Sequence, residues 1–490
     1  MVVETMTSSA PVVEKILAEI IAAMASQSPL TEWPQLMDEL LLSLKDIGTC
    51  RGAVQVANLI FKPWRKQLPS HEIYNEVMQK NSVVFFELLS KLTDRICIDP
   101  ISQNSEENLI SIELLVQIFV SLNSFDFPEF IHFYQQKFMN DLHQLINYKF
   151  PANSLFETES SLDSLKNLKS GICECILLYV RVNEVDFIEL PTFLHDLVQL
   201  LETSPINECA ITVLTEFVVV ERFKSIFEDP DCLMRLCQLG VINNSFLTGK
   251  CVFFIIVGDE VLFYEDQGEF IRQDMEGHDA DTRRRLSADL FHGLLELFAT
   301  EVTNILWTEI RTSLTLYKSD SRDNWKCKDL ALFLLTSLSV KSDTFQKVEK
   351  DLNKLIPILE IYATDIIPDL ECATDDEIHP LLKVGALKFL KVFSHQLDKQ
   401  QILQVIPHVM RHLQSRSFCV YTWASYTLEH ILAMQVNAAQ VLTYEECGAF
   451  ARTAIDYIFD IMFRTAGAIN SITRPLKLAE NEHLMKCIIY

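Results

Sequence analysis

The sequence predicts an all-α protein built from stacked, antiparallel helix pairs. Its 490 residues are 49% hydrophobic, which supplies ample material for a core and excludes an acidic disordered chain. The sequence contains only 12 glycines, although average usage of about 7% would supply nearly three times as many. This scarcity disfavours β-rich folds and enzymes that depend on glycine-rich loops. Because no Ser/Gly/Pro-rich linker divides the chain, residues 1–490 are predicted to form a single helical array.

Apolar residues recur along the chain at the three-and-four spacing of a helix face. The first such segment contains Val12, Val13, Ile16, Leu17, Ile20, Ile21 and Met24. Further helices are predicted at Leu36–Leu44, Ser82–Ile96, Leu109–Leu122, Pro128–Ile146, Leu165–Val180, Pro191–Leu201, Ala210–Val220 and Leu286–Phe298. Each has about the length of one helix of three or four turns, and such a helix must pack on neighbours to be stable.

A repeat of 39 residues is present in the C-terminal half. It relates Pro368 to Pro407, and the same offset relates Val384, Ala386, Leu387, Val392 and Phe393 to Trp423, Ser425, Tyr426, Ile431 and Leu432. Each unit reads as a first helix bent by an internal proline, a polar turn and a second helix. A period near 40 with two helices per unit is typical of HEAT or armadillo repeats. The fold class predicted is therefore a HEAT/armadillo-like α-solenoid, a right-handed superhelix of roughly ten antiparallel helix pairs.

Two segments interrupt this pattern. Asn153–Asp163 is predicted to be an exposed loop, and residues 251–281 are predicted to form an acidic insertion or hinge within the solenoid. From Asp259 to Asp281 this insertion holds nine acidic residues and one basic residue, Arg272. The candidate site consists of its later acids and the arginines that follow them: Asp274, Glu276, Asp279, Asp281, Arg283, Arg284 and Arg285.

The three arginines stand at the start of a predicted helix that begins near Thr282 and that Asp281 could cap. Positive charge in a first turn opposes the helix dipole, so these arginines are expected to have acidic partners. The partners could lie in the preceding loop or in another protein. Alternatively, each arginine could tie adjacent helix pairs together as a structural ladder.

No motif in the sequence predicts catalysis, a cofactor or a metal site. GxSxG, GxxxxGK followed by Ser or Thr, and GxGxxG are all missing. His408 and His412 are four residues apart, but the Glu of a zinc protease is not between them, so they are interpreted as polar positions on a helix surface. The 13 scattered cysteines include no CxxC and are typical of reduced thiols in a cytosolic or nuclear protein.

The net charge of −25 argues against nucleic acid as a partner, because its phosphates would be repelled. It favours basic protein partners, or it serves only to keep a large surface soluble. The most apolar short stretch, Cys251–Val257, is far below the roughly 20 residues of a membrane span. No membrane insertion is predicted.

Four stretches carry a family resemblance. Two are long and distinctive: EFIRQDMEGHDADTRRRLSADLFHGLLELF (Glu269–Phe298) and NWKCKDLALFLLTSL (Asn324–Leu338). Two are shorter: SLNSFDFPEF (Ser121–Phe130) and EWPQLMDELL (Glu32–Leu41), whose Trp-Pro is widespread in the superfamily. In order and spacing they resemble the importin-β superfamily, and within it the exportins that return importin-α to the cytoplasm, the cellular apoptosis susceptibility type.

This resemblance implies a nuclear transport receptor that is not an enzyme. It would bind importin-α and Ran-GTP in the nucleus, contact nucleoporins while it crosses the pore, and shuttle between nucleus and cytoplasm. A change of solenoid curvature would drive the cycle. Asp259–Asp281 and Arg283–Arg285 would lie at a hinge near the Ran and cargo contacts. The alternative is a HEAT-repeat scaffold or truncated paralogue that binds proteins without a Ran-driven cycle.

The resemblance covers about Glu32 to the last residues, and family members are close to twice as long. The first repeats, which form the family's main Ran-binding arch, are expected to precede Met1, and the C-terminal arch is not represented. The chain is therefore expected to be a fragment or a divergent short copy. Gly249–Gly258 (GKCVFFIIVG) replaces a hydrophilic loop of the family, either as a translated intron remnant or as a real buried element.

Overall fold

A computed structural model shows that the protein is almost entirely helical. It describes residues 11–27, 34–45, 50–67, 71–98, 105–125, 132–150, 159–182, 190–203, 208–220, 224–242, 262–276, 283–337, 356–372, 377–436, 439–467 and 482–489. The chain forms two compact units, Met1–Phe223 and Lys224–Tyr490. Gly249–Gly258 lies outside the described residues.

The N-terminal unit contains nine described α-helices. They are α1 (Pro11–Gln27), α2 (Pro34–Leu44), α3 (Cys50–Phe61), α4 (His71–Ile98), α5 (Ser105–Leu122), α6 (His132–Ile146), α7 (Glu159–Val182), α8 (Leu190–Thr203) and α9 (Glu208–Val219). A short 3-10 helix, Lys62–Arg65, follows α3. Neighbouring helices pack in pairs (α2 with α3, α4 with α5, α6 with α7, α8 with α9), and the second helices α3, α5, α7 and α9 pack on one another in that order.

The C-terminal unit continues with helix pairs and one short ribbon. Its helices are α10 (Lys224–Phe227), α11 (Pro230–Leu236), α12 (Gln267–Glu276), α13 (Arg283–Ser319), α14 (Trp325–Ser337), α15 (Ile358–Ile361), α16 (Ile367–Glu371), α17 (Pro380–Phe393), α18 (Lys399–His412), α19 (Phe418–Ala433), α20 (Tyr444–Gly467) and α21 (Glu482–Ile489). Wider π-helical turns extend α11 through Cys237–Ile242 and join α15 to α16 through Tyr362–Ile366. The strands β1 (Gln435–Val436) and β2 (Ala439–Gln440) pair antiparallel.

The predicted all-α, HEAT-type architecture is confirmed, and every helix predicted from periodicity is present. Pro128 lies outside the described residues, and α6 begins at His132. The loop predicted at Asn153–Asp163 is wrong in its second half, because α7 already begins at Glu159 and Ser161 is fully buried. Acidic and serine residues are favoured in a first helical turn, where they suit the dipole and exposed N–H groups, so their polarity does not require a loop.

The 39-residue repeat corresponds to two successive helix pairs. In the first, α15, the π-helical turns and α16 form one bent helix that contains Pro368 and is followed by α17. In the second, α18 contains Pro407 in its interior and is followed by α19. The side chain of Thr427 on α19 donates to the Leu387 carbonyl of α17 at 3.1 Å, 40 residues earlier. Helices related by the repeat therefore pack directly against each other.

α13 is two helices joined at a kink. Phe298 has φ −134° and ψ 46°, which is not helical, while the residues on both sides continue as helix. The apolar pattern predicts that a helix ends at this residue. Leu286–Phe298 thus forms a separate helix. Residues on both sides of the kink contact α14, since Arg284 pairs with Asp329 and the centre of the Tyr317 ring lies 4.6 Å from the Lys328 ammonium.

Aromatic side chains fill the core of the N-terminal unit. The Phe119 ring on α5 lies 5.7 Å from the Phe86 ring on α4, 4.3 Å from the Phe138 ring on α6 and 6.1 Å from the Tyr179 ring on α7, measured between centroids. Four helices therefore meet at Phe119, which is 6% exposed.

The core of the C-terminal unit also contains charged groups. Lys328 on α14 is 2% exposed, and its ammonium donates to the Asp369 carboxylate of α16 at 2.7 Å and to the Asp365 carbonyl at 2.8 Å. Burial raises the pKa of Asp369 to about 6, although Lys328 acts in the opposite direction. Lys383 on α17 is also fully buried. A charged cluster thus joins two adjacent helix pairs.

Arginines tie successive second helices of the N-terminal unit together. Arg51 on α3 contacts Glu14 on α1 at 2.7 Å and Glu107 on α5 at 2.9 Å. Similar pairs join Arg65 to Glu174 at 3.2 Å and Arg181 to Glu216 at 2.5 Å. Partly exposed pairs each add little free energy, so their main effect is to favour one register between repeats.

The interpretation of His412 as a surface residue is wrong. His412 is 2% exposed, and its Nε2 lies 3.0 Å from the Leu370 carbonyl oxygen. Arg411 donates to the Glu371 carbonyl at 3.2 Å. Both carbonyls are at the end of α16, where a helix has no further partners of its own. The last turn of α18 therefore caps the first helix of the preceding pair, a contact between repeats that a local pattern does not predict.

Candidate functional site: the acidic segment and the arginine cluster

Much of the acidic segment is helical. A turn at residues 262–265 is followed by α12, and Asp266 between them caps α12 by accepting from the Glu269 N–H at 3.0 Å. Glu269 also pairs with Arg272 one turn later. Two acids of the predicted insertion, neither of them among the candidate site residues, thus have local structural roles. We call residues 262–276 the acidic segment from here on.

The start of α12 caps the second helix of a distant pair. The Gln267 side-chain oxygen accepts from the Phe418 N–H at 2.8 Å and from the Ser417 hydroxyl at 3.2 Å. Ser417 is the N-cap residue of α19, but its own side chain makes no capping hydrogen bond. Gln267 therefore satisfies the Phe418 N–H, one of the exposed N-terminal donors of α19, from 151 residues away.

Asp274 is held two turns further along α12. One carboxylate oxygen lies 2.5 Å from the Lys388 ammonium of α17, and the other accepts from the Trp423 indole N–H of α19 at 3.0 Å. Ile271, between Gln267 and Asp274 on the same face, is 6% exposed. Asp274 is thus engaged inside the C-terminal unit by two helices of the 39-residue repeat.

The turn before α12 contacts the residue that caps α17. The Tyr264 hydroxyl lies 3.1 Å from His379 Nε2, and Phe263 beside it is 1% exposed. His379 accepts from the Leu381 N–H to cap α17, and its ring stacks on Trp325 of α14 at 3.7 Å between centroids. The acidic segment therefore contacts α19, α17 and the His379 cap of α17, and it is linked to α14 through His379.

Arg284 and Arg285 have acidic partners, and neither of these partners lies in the preceding loop. Arg284 pairs with Asp329 on α14, which is largely buried, and its guanidinium lies 5.1 Å from the centre of the Phe333 ring. Arg285 lies 3.7 Å from Asp289, one turn later on α13. Arg284 thus joins adjacent second helices, which favours the ladder interpretation for this residue.

We expect Arg284→Ala to lower the free energy of unfolding of the C-terminal unit by about 1.5–3 kcal/mol, because it leaves a largely buried carboxylate without its charged donor. Arg285→Ala should cost less than about 0.5 kcal/mol, since a pair one turn apart on a helix is weak. Urea unfolding followed by circular dichroism measures both. Equal stability of the two variants would contradict a ladder role for Arg284.

The remaining predicted site residues are only partly described. Glu276 ends α12 and Arg283 begins α13, while Asp279 and Asp281 lie outside the described residues, as does the predicted Asp281 cap. The sequence does not predict the roles of Gln267, His379 and Trp423. Neither Gln267 nor Trp423 is part of a charge pattern in the sequence, although Trp423 belongs to the 39-residue repeat. These residues meet only through tertiary contacts.

Among the described residues, no group of three or more His, Cys, Asp or Glu side chains could hold a metal ion. The helices described include none with the length and apolarity needed to cross a membrane.

Comparison with known proteins gives concordant results. The family model Cse1 matches residues 60–428. Exportin-2 from Bos taurus and from Homo sapiens are each 29% identical to the chain over 505 residues, which is 100% of this chain and 50% of theirs. The solved structure of the exportin Cse1 in its cargo-free, cytoplasmic state has a TM-score of 0.72 and 26% identity, covering 99% of this chain and 51% of that one. The chain thus spans about half the length of the curated relatives it matches.

Proposed function

Since this chain belongs to the Cse1 family, we propose that it is a nuclear transport receptor that exports importin-α in a complex with Ran-GTP. The family match over residues 60–428 carries this proposal. The receptor itself performs no chemistry and shuttles between nucleus and cytoplasm. Its net charge of −25 suits a cargo with basic segments and suits neither nucleic acid nor an anionic surface.

The proposed mechanism is a change of curvature, with the acidic segment as its hinge. This segment contacts α17 and α19, so a change in the angle between those two helices must break or shift the contacts of Tyr264, Gln267 and Asp274. Asp274, Arg284 and Arg285 have internal partners and suit the hinge role. We propose that the other four candidate residues contact Ran or importin-α directly. They are Glu276, Asp279, Asp281 and Arg283.

A groove between α18 and α20 supports an interaction with nucleoporins. Its volume is about 520 Å³, and its lining includes Pro407, Met410, Phe450 and Tyr457 together with the polar Arg411 and Gln414. A concave, partly apolar surface of this size can receive an apolar or aromatic side chain from an extended nucleoporin segment.

The test compares importin-α binding to this chain in the presence of Ran loaded with GTP or with GDP, by calorimetry. We expect Ran-GTP to tighten importin-α binding by about 5- to 150-fold, the usual range of coupling between two sites. Identical affinities with the two nucleotides would favour the alternative, a HEAT scaffold without a Ran-driven cycle.

A matched pair of variants tests the proposed contact residues in the same assay. Asp279→Lys with Asp281→Lys should reduce the coupling, whereas Glu228→Lys with Glu301→Lys, an equal charge change at two exposed positions, should not. An equal loss in both double variants would indicate an effect of net charge alone and would remove these residues from the proposed contact.

A further inference from the structure

Two lysines and two aromatic rings form a patch on α17 and α19. The Lys388 ammonium lies 4.9 Å from the centre of the Trp423 ring, and the Lys391 ammonium lies 3.8 Å from the Tyr426 ring and 5.9 Å from that of Trp423. Because an ammonium is attracted to the face of an aromatic ring, these contacts orient both lysines. We call Lys388, Lys391, Trp423 and Tyr426 the lysine–aromatic patch.

The patch contains more positive charge than its neighbours neutralise. Asp274 supplies one carboxylate, which contacts Lys388 and the Trp423 N–H. Lys391, by contrast, makes ring contacts but no ion pair with any described residue. Within the described part of the chain, Lys391 therefore offers an ammonium without a carboxylate partner beside two aromatic rings.

Asp274 lies on α12, a helix that buries few apolar side chains of its own. Of residues 267–275, only Ile271 is buried, and Gln267 and Asp274 make hydrogen bonds to α19. The main apolar anchor of the segment, Phe263 at 1% exposure, lies in the preceding turn, 5.6 Å from the Phe270 ring. Polar contacts between a helix and a groove can be exchanged for equivalent contacts from another chain at little net cost, since each exchange keeps the donors satisfied.

We propose that the lysine–aromatic patch binds an acidic peptide segment of a partner protein, and that Asp274 occupies part of this surface as an internal carboxylate ligand. With α12 docked, the partner's first carboxylate pairs with Lys391 beside the half-exposed Tyr426. When α12 moves away, a second carboxylate replaces that of Asp274 at Lys388 and Trp423. The partner is thus opposite in charge to the basic cargo proposed above, and the site requires neither Ran nor importin-α.

The test uses the full chain and a fluorescein-labelled hexaglutamate peptide, with binding followed by fluorescence anisotropy at low ionic strength, where charge pairing is least screened. We expect Asp274→Asn to bind the peptide about fivefold more tightly than the unmodified chain, because the competing carboxylate is removed while the side chain keeps its shape. Lys391→Gln should bind about fivefold more weakly, and Lys391→Arg should retain binding.

Lys399→Gln is the matched control, because it removes one positive charge from a pair with Glu446 away from the patch. Equal binding by Lys391→Gln and Lys399→Gln would overturn the proposal, since only net charge would then matter. It would also be overturned if Asp274→Asn bound no more tightly than the unmodified chain. Circular dichroism of each variant confirms that the fold is retained. Neither result depends on the Ran experiment, so the two proposals fail separately.

Discussion

Replacing Lys328 by alanine is expected to lower the free energy of unfolding of the C-terminal unit by about 3–5 kcal/mol, because it leaves the Asp369 carboxylate buried without its partner. The ammonium of Lys328 also satisfies the Asp365 carbonyl, which would lose its donor. Urea denaturation followed by circular dichroism measures the change. Lys399→Ala removes a lysine from a partly exposed pair and should cost less than about 1 kcal/mol.

The loss of unfolding free energy caused by Lys328→Ala should depend on pH. The folded-state pKa of Asp369 is raised to about 6, above its unfolded value near 4, so this group favours the folded state at low pH and loses that contribution as pH rises through 6. Without Lys328 the pKa should rise further. We therefore expect Lys328→Ala to lose more stability at pH 8 than at pH 5. An equal loss at the two pH values would show that ionisation of Asp369 is not the cause.

Phe119→Ala is expected to destabilise the N-terminal unit by about 3–5 kcal/mol, since it removes a ring that contacts three other rings from three helices. Phe119→Leu should recover much of this loss because it refills most of the volume. Thermal unfolding monitored by calorimetry provides the measurement, with separate transitions assigned by comparison with Lys328→Ala.

The matched control is Phe125→Ala, which removes the same side chain from a position that is 48% exposed. Its cost should stay below about 1 kcal/mol, because little contact surface is lost. If Phe119→Ala and Phe125→Ala were equally stable, the aromatic cluster around Phe119 would not be the core of this unit.

Helix periodicity predicts the fold because each helix must bury one face, and the apolar residues of that face recur within a short stretch of sequence. The repeat relating Pro368 to Pro407 even identified which helices are equivalent. The same local pattern predicted the helix end at Phe298, where the kink occurs. Polarity was a poorer guide: the acids and serines of Glu159–Asp163 read as a loop because side chains that favour helix starts are also common in turns.

The excess of acidic residues indicates where the candidate site lies in the sequence, but it does not predict which residues the site contacts. The acids of residues 259–281 suggested an exposed surface, yet Asp266 caps a helix and Asp274 is bound by Lys388 and Trp423. The contacts of Asp274 join residues more than 100 positions apart, and no local pattern encodes them. His412 was missed for the same reason, because its partner is a backbone carbonyl whose exposure depends on how α16 ends.

The separation between Asp274 and Trp423 has a consequence for synthesis of the protein. Most polar ties between helix pairs span about one repeat, such as the 40 residues from Leu387 to Thr427, whereas Asp274 and Trp423 are 149 residues apart. At a translation rate of 5–20 residues per second, roughly 7–30 s pass before the ribosome has made the partner. The acidic segment therefore remains undocked on the nascent chain, and its high charge keeps it soluble throughout that interval.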